Sequence, residues 1–326
     1  MLIYDNTLWL LLGALFLDAV IGDPDCLWRR LPHPVVWIGN FIAFLDKRLN
    51  KPSQTDPALK ASGVLALVIL VLGGAVVGIA LQKLAYALPY GGVLTVVITA
   101  LLIAQRSLYL HVAAVRDGLQ LSGLDGGRKA VAMIVGRDPE KLDEAGVSRA
   151  AIESCAENFS DGVVAPVFWF ALLGLPGLLV YKAVNTADSM IGHKTKKYAD
   201  FGWASARFDD LINLPASRLS GLLFALAAPL VGGSTFKSLK CIAHDAKQHR
   251  SPNAGWPEAA MAAALSVSLA GPRNYPGYSV EDPYMNASGR RDAHSEDISR
   301  SLTLLSGACA IKAIVVLLVA TALFFI

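Results

Sequence analysis

Along much of this chain apolar residues run in long unbroken windows, not at the spacing of a half-buried helix or strand. Ala61–Gln82 holds no Lys, Arg, Asp or Glu and lies between Lys60 and Lys83. Leu84–Gln105 follows, bounded by Lys83 and Arg106, and Gly162–Tyr181 and Leu219–Phe236 are equally free of charge. Ser301–Ile326 carries one charge, Lys312, and Thr7–Gly22 carries one, Asp18. A membrane-crossing helix needs about 20 mostly apolar residues. One such window could be a buried core helix, but this many in one chain predict a polytopic membrane protein with about 4–6 membrane helices. Before the first window there is no basic residue, and no A-x-A site follows it, so the pattern predicts a retained helix and not a cleaved leader.

Two windows carry helix breakers: Pro166, Pro176 and Gly177 in one, Pro229, Gly232 and Gly233 in the other. Both readings stay open for them, broken or re-entrant helices on one hand and ordinary Pro-containing spans on the other. Irregular backbone at membrane depth is tolerated only where protein or a cavity surrounds it. Basic residues mark sidedness. Segment 23–60 holds six Lys or Arg, 105–161 seven and 182–218 six, whereas the connection Lys83–Tyr90 holds only Lys83. The positive-inside rule places the three basic segments in the cytoplasm and the connection outside. Segments 105–161 and 182–218 share that side only if Gly162–Tyr181 does not cross once.

Between the windows the pattern is helical. Asp138, Pro139 and Glu140 suit an N-cap, a first helical proline and a first-turn acid, with Gly146 as the stop and Ser148 capping a helix over Arg149–Asn158. The Pro-, Gly- and Tyr-containing stretch Asn274–Arg291 reads as a surface loop. The fold class is therefore all-α and membrane-embedded, a single domain over 1–326 with 105–161 and 182–218 as helical cytoplasmic segments forming the site.

Composition agrees: 54 % of residues are hydrophobic and 17 % charged, against about 25 % charged in soluble domains. The net charge of +3 is too small to imply a nucleic-acid partner. The cysteines Cys26, Cys155, Cys241 and Cys309 are scattered, without the spacing of a zinc site or disulfide framework. Walker and dinucleotide glycine motifs are absent.

Polar residues beside apolar windows carry the chemistry, because ionisable groups near membrane depth are costly. Glu153, Glu157 and Asp161 recur at steps of four, which places them on one helix face with Asn158 alongside. A divalent ion or a substrate ammonium could sit opposite, and so could Arg149. Lys182, Asn185, Asp188 and Ser189 form a stripe at steps of three and four, suited to gripping phosphate and metal or to closing a helix end. Lys194, Lys196, Lys197 and Tyr198 are either a membrane-side anchor or a phosphate site. Asp209, Asp210 and Asn213 offer hard oxygen ligands of the kind Mg²⁺ shares with phosphate, while Arg207 and Arg218 could pair with the same acids. His33, between two prolines, and the group His249, Ser251, Asn253 and Glu258 complete the candidates.

Several long strings carry a resemblance: G-D-P after the first helix, H-P-V-V-W-I-G, S-C-A-E-N-F-S-D-G-V-V-A-P, Y-K-A-V-N-T-A-D-S-M-I-G-H, F-G-W-A-S-A-R-F-D-D-L-I-N-L-P-A-S-R-L and S-P-N-A-G-W-P-E-A-A-M-A. From about Gly22 to Pro272 the chain resembles the adenosylcobinamide-phosphate synthase (CobD/CbiB) family, most densely from Glu153 to Arg218. The resemblance implies a multi-pass inner-membrane enzyme of cobalamin biosynthesis with its active site facing the cytoplasm. It would join aminopropanol, or its O-phosphate, to adenosylcobyric acid, using ATP and Mg²⁺. Its partners would be those substrates, membrane lipid and other membrane-bound cobalamin-assembly enzymes. On the matched positions, Glu153, Glu157, Asp161, Lys182 and Asp188 are the expected catalytic groups. His33, Asn158, Asn185, Lys194, Lys197, Tyr198, Arg218, Ser251, Asn253 and Glu258 are the expected substrate contacts, and Asp188, Asp209, Asp210 and Asn213 the expected metal ligands. A transporter, binder or sensor of a bulky metabolite is the rival reading.

Overall fold

The structure, a computed structural model, describes residues 6–23, 28, 32–136, 138–275, 278–280 and 282–325. Pro24 of the G-D-P string, Cys26 and three of the basic residues used for sidedness (Arg29, Arg30 and Arg137) lie outside that set. In chain order the helices are α1 (Thr7–Val20), α2 (Pro34–Leu49), α3 (Asp56–Ala87), α4 (Gly91–Ala100), α5 (Gln105–Val131) and α6 (Glu144–Asn158). A π-helical turn, Phe159–Val164, leads into α7 (Ala165–Ile191), followed by α8 (Trp203–Ile212), α9 (Leu214–Ala227), α10 (Thr235–Asp245), α11 (Gly255–Leu265) and α12 (Ser295–Phe324). Helix accounts for 77 % of the structure, so the fold is all-α.

Among the described residues five helical runs are long and apolar enough to cross a membrane: Asp56–Ala87, Gly91–Val131, Glu144–Ile191, Leu214–Val231 and Ser295–Phe324. The protein is thus a multi-pass membrane protein. With 14 residues α1 rises only about 21 Å, short of the roughly 30 Å hydrocarbon layer. Two sequence expectations are corrected. The window Leu84–Gln105 is not one helix, because α3 ends at Ala87, Tyr90 takes a left-handed conformation (φ +62°), and α4 stops before Leu101. Helix α6 begins at Glu144 with Asp143 as its cap, its carboxylate accepting from the Gly146 amide at 2.7 Å; Gly146 and Ser148 are helix interior. Asp138 does cap as expected, but only a short 3₁₀ turn, Pro139–Lys141.

The chain groups into two compact units. The first contains α1–α4, α7, α8 and the residues from Leu317 on. Its core joins Ile42 and Leu45 of α2, Ala66 and Leu70 of α3, Ala187 and Ile191 of α7, and Phe201. Helices α3 and α7 approach closely because Gly78 leaves room: a Cβ there would stand 2.4 Å from the Pro176 Cα. Small residues at such crossings are how membrane helices gain packing. Helix α7 is broken where Gly174 adopts φ +65°, with Pro176 just beyond. The Leu175 amide that follows the break is taken up by the Gln82 Oε1 of α3 at 3.1 Å. A freed backbone donor at membrane depth is thereby satisfied inside the protein.

The second unit contains α5, α6, the π-turn, α9–α11 and α12 up to Val316. Helix α5 is kinked at Gly123, and α9 ends in a 3₁₀ turn, Ala228–Val231, closed by left-handed Gly232. The stretch expected as a surface loop contains short antiparallel pairs: β1 (Leu269–Ala270) with β4 (Tyr284–Met285), and β2 (Arg273–Tyr275) with β3 (Tyr278–Val280). Two- and three-residue strands are too short to show an alternating pattern in sequence.

Candidate functional site

Helix α7 ends in the polar stripe, and α8 lies along it. The two bring together the second and fourth sequence clusters. Asp209 is buried, 7 % exposed. Its Oδ1 accepts from the Asn185 side-chain amide at 3.2 Å and its Oδ2 from the Asn213 amide at 2.9 Å. Tyr181 Oη donates to Asn213 Oδ1 at 3.0 Å. Three side chains therefore converge on one carboxylate, two of them directly and Tyr181 through Asn213. Asp209 and Asn213 share a face at a spacing of four, whereas adjacent Asp210 points elsewhere and lies 4.0 Å from Arg207.

Asp188 lies close enough for its charge to act on both α8 acids. Its Oδ1 folds back over Gly192, where a Cβ would stand 2.0 Å away. Burial, reinforced by Asp188 and only partly opposed by the two amides, pushes the Asp209 carboxyl up to about 7. Burial also raises Asp210, while Arg207 and Lys194 pull it back. Arg207 and Lys194 act on Asp210 and His193 acts on Asp188, so positive charge already gathers around these three acids. Among the described residues no three His, Cys, Asp or Glu side chains form a ready-made metal cage. The donor set fits Mg²⁺ bound through one or two carboxylates together with substrate phosphate, the usual mode of that ion.

The other candidates of the first unit fall into different roles. Lys182 is half-buried one turn before Asn185, and Ser189 bonds back to the Asn185 carbonyl at 3.0 Å. Lys194 and Lys196 are exposed. Lys197 is held by Asp46 of α2 at 2.7 Å and by Tyr198 Oη at 2.7 Å, with its ammonium 4.4 Å from the tyrosine ring centre. Tyr198 Oη also donates to Asp46, at 3.2 Å. The Asp46 hydrogen bond raises Lys197's pKa, so this lysine is a charged strut between α2 and the loop after α7. His33 caps α2, accepting from the Val35 amide at 3.2 Å, with Nε2 3.5 Å from Asp23 and its ring edge-on to Trp28 at 4.5 Å.

In the second unit the acidic stripe divides. Glu153 is buried and its Oε1 accepts from the Ala270 amide at 2.8 Å, which ties α6 to β1. Glu157 is exposed, and Asp161 sits on the π-turn, whose wider turn spoils the expected repeat of four. Asn158 spends its amide on the Ser154 carbonyl and hydroxyl, at 2.9 and 3.0 Å. A further cluster gathers the remaining candidates. Arg218 Nη1 donates to Ser217 Oγ, Pro252 O and Asn253 Oδ1 at 2.9–3.1 Å, and its guanidinium covers the Trp256 ring at 4.5 Å. Ser251 Oγ accepts from the amides of Asn253 and Ala254, both at 3.2 Å, and Glu258 lies buried 3.7 Å from His249. Arg218 thus serves this cluster, not the α8 acids.

Sequence reasoning missed Tyr181, Asp46 and Trp256. Tyr181 stands four residues before Asn185 on the same face, which was the available signal, but it closes an apolar window and reads as core.

A family model described as CobD/Cbib protein matches residues 11–305. A protein of Sinorhizobium sp named Cobalamin biosynthesis protein CobD is 54 % identical over 319 residues, covering 97 % of this chain and 99 % of the relative. Proteins of the same name from Rhizobium meliloti and Rhodobacter capsulatus are 53 % and 48 % identical. The matches cover 93 % and 94 % of this chain and 94 % and 95 % of the relatives' own lengths. No solved structure matches.

Proposed function

The chain belongs to the CobD/CbiB family of cobalamin biosynthesis, and on that premise we propose that it is the amide ligase joining aminopropanol, or its O-phosphate, to the carboxyl of adenosylcobyric acid. The observation that carries the reading is the group of neighbouring acids Asp188, Asp209 and Asp210, with Lys194 beside Asp210.

Forming an amide from a free carboxylate needs activation, most simply as an acyl phosphate made at the expense of ATP. The corrinoid carboxylate takes the terminal phosphoryl group, ADP leaves, the amine attacks the acyl carbon, and phosphate departs as the amine loses a proton. Phosphoryl transfer asks the protein chiefly to position groups and balance charge. Asp188 and Asp209 would hold Mg²⁺ together with substrate phosphate, and the ion would neutralise phosphate charge there, while Asp210, turned toward Arg207, and Asn213, bonded to Tyr181 and Asp209, would stand beside it. Asn185 and Asn213 fix the Asp209 carboxylate. Lys182 and Lys194 are the proposed cations for phosphate, and Lys197 is held by Asp46. Within the second unit, Glu153 positions α6 through Ala270. The protein would lie in the inner membrane with these groups on the cytoplasmic side.

The breaks at Gly174 and in the π-turn favour one rival, a carrier with discontinuous helices. Purified protein in detergent, given adenosylcobyric acid, aminopropanol phosphate and Mg-ATP, separates the two. The ligase yields a corrinoid heavier by the amine minus water, with one ADP per product. No corrinoid product with all three present rejects the ligase, and product without ATP rejects the acyl-phosphate route.

A further inference from the structure

The first unit contains a cavity of about 470 Å³ among α3, α7 and α8. Its volume equals roughly fifteen waters at liquid density, yet its lining offers water little. Tyr181 donates to Asn213, and Trp169 Nε1 donates to the Ile212 carbonyl at 3.1 Å. Gln82 Oε1 accepts from Leu175, and its Nε2 donates to Tyr86 Oη at 3.1 Å. These polar lining groups are already used inside the protein. What remains is apolar surface and one charged side chain, the exposed Lys83. Among the described residues Lys83 has no acidic partner.

The lining from Ala75 to Tyr86 and from Trp169 to Tyr181 belongs to two membrane-crossing runs, so the surrounding medium is lipid. An apolar cavity of this size is within the range of ligand sites. We propose that it holds an acyl chain of an anionic phospholipid, with the Lys83 ammonium on the headgroup phosphate. Charge complementarity selects the occupant: the cavity accepts a long apolar group, and the one charged residue in its lining is a cation near the end of α3. A free corrinoid or a small amine would meet no acid and few unspent hydrogen-bonding groups there.

Trp169 in the lining supplies the probe. The full chain is reconstituted in nanodiscs of phosphatidylcholine, and phospholipids with dibrominated acyl chains, which quench tryptophan on contact, are titrated in. The signal is the difference between wild type and Trp169→Phe. The expected result is saturable quenching by dibrominated phosphatidylglycerol, with half-saturation roughly tenfold lower than for the phosphatidylcholine analogue, as loss of a charge-assisted contact would give. Lys83→Ala removes that preference, and Lys83→Arg retains it. Quenching that is linear in lipid fraction and equal for both headgroups reduces the site to ordinary bilayer contact and overturns the proposal. So does an unchanged preference in Lys83→Ala, or displacement of the lipid by adenosylcobyric acid.

Discussion

Tyr181 Oη donates to Asn213 Oδ1 at 3.0 Å, and through that amide, bonded in turn to Asp209 at 2.9 Å, a residue of the kinked helix fixes the acid at the centre of the site. Tyr181→Phe keeps the ring and removes the donor. Asn213 Oδ1 is buried, so leaving it unpaired costs about 1–3 kcal/mol. The expected outcome is a lower melting temperature in detergent together with a several-fold higher Mg²⁺ requirement for ligation. A lower melting temperature with an unshifted Mg²⁺ titration would confine Tyr181 to packing.

The Asp209 carboxyl makes stability fall as pH rises. Its folded value of about 7 lies above the ordinary 3.8 because of burial first and Asp188 second. Between those values the folded state binds the proton and the unfolded state does not, so the stabilisation is complete below the lower value and is lost as pH rises through the upper one. Melting temperature should therefore decline from about pH 5 to about pH 7.5, and Asp209→Asn should flatten that decline. Mg²⁺, which needs the ionised form, should raise the melting temperature more at the higher pH than at the lower. An Mg²⁺ effect equal at both pH values would place the ion elsewhere.

Two lysines of one sequence cluster should behave differently. Lys197 pairs with Asp46 at 2.7 Å on an exposed surface, and such pairs contribute less than about 1 kcal/mol. Lys194 instead acts on Asp210. Lys194→Ala should raise KM for Mg-ATP by roughly one decade, as the loss of a charge-assisted phosphate contact of about 1.5 kcal/mol implies. Lys197→Ala should leave KM nearly unchanged. Equal KM values for the two variants would remove Lys194 from the phosphate site.

The contrast between those lysines shows what the sequence could reveal. Spacing of three and four placed Asn185 and Asp188 on one stripe, and Asp209 and Asn213 on another, because a helix converts local spacing directly into a face. That the stripes meet through Asn185 and Asp209 is a tertiary fact across 24 positions, and only the shared proximity to one apolar window hinted at it. Asp46 lies 151 positions from Lys197, so no local pattern could pair them. The fold followed similar limits. Apolar windows marked α3 and α12 by length alone, whereas the break at Gly174 depends on Gln82 from another helix accepting the exposed amide. Asp161 leaves the face that Glu153 and Glu157 share on α6 because a π-turn, which no composition signals, begins at Phe159.

Gly78 tests the α3–α7 contact. A Cβ at this position would stand 2.4 Å from Pro176 Cα, and backbone cannot yield as a flexible side chain can. Gly78→Val should therefore force the helices apart, costing at least the roughly 1–3 kcal/mol typical of overpacking and increasing protease sensitivity around the α7 break. Gly73→Val, on the same helix where a Cβ meets nothing within 4 Å, is the matched control. If both variants melt like wild type, the close approach does not hold these helices together.

Sidedness is the last expectation to be tested, and burial decides where the probes go. Ser148 and Ser205 lie in basic segments but are fully buried, so a thiol there would be silent on either side of the membrane. Tyr90, in the connection after α3, is 91 % exposed, and Thr195, in the lysine-bearing loop after α7, is also exposed. By the positive-inside rule the excess of Lys and Arg in segment 182–218 would place Thr195 in the cytoplasm, and the near absence of charge between Lys83 and Tyr90 would place Tyr90 outside. In intact cells a membrane-impermeant maleimide should label Tyr90→Cys and should label Thr195→Cys only after permeabilisation. Each signal is read above that of the parent chain, whose Cys155 is buried. Labelling of Thr195→Cys from outside would put Lys194 and the neighbouring acids Asp188 and Asp210 on the side without ATP, and the ligase mechanism would fall with the topology.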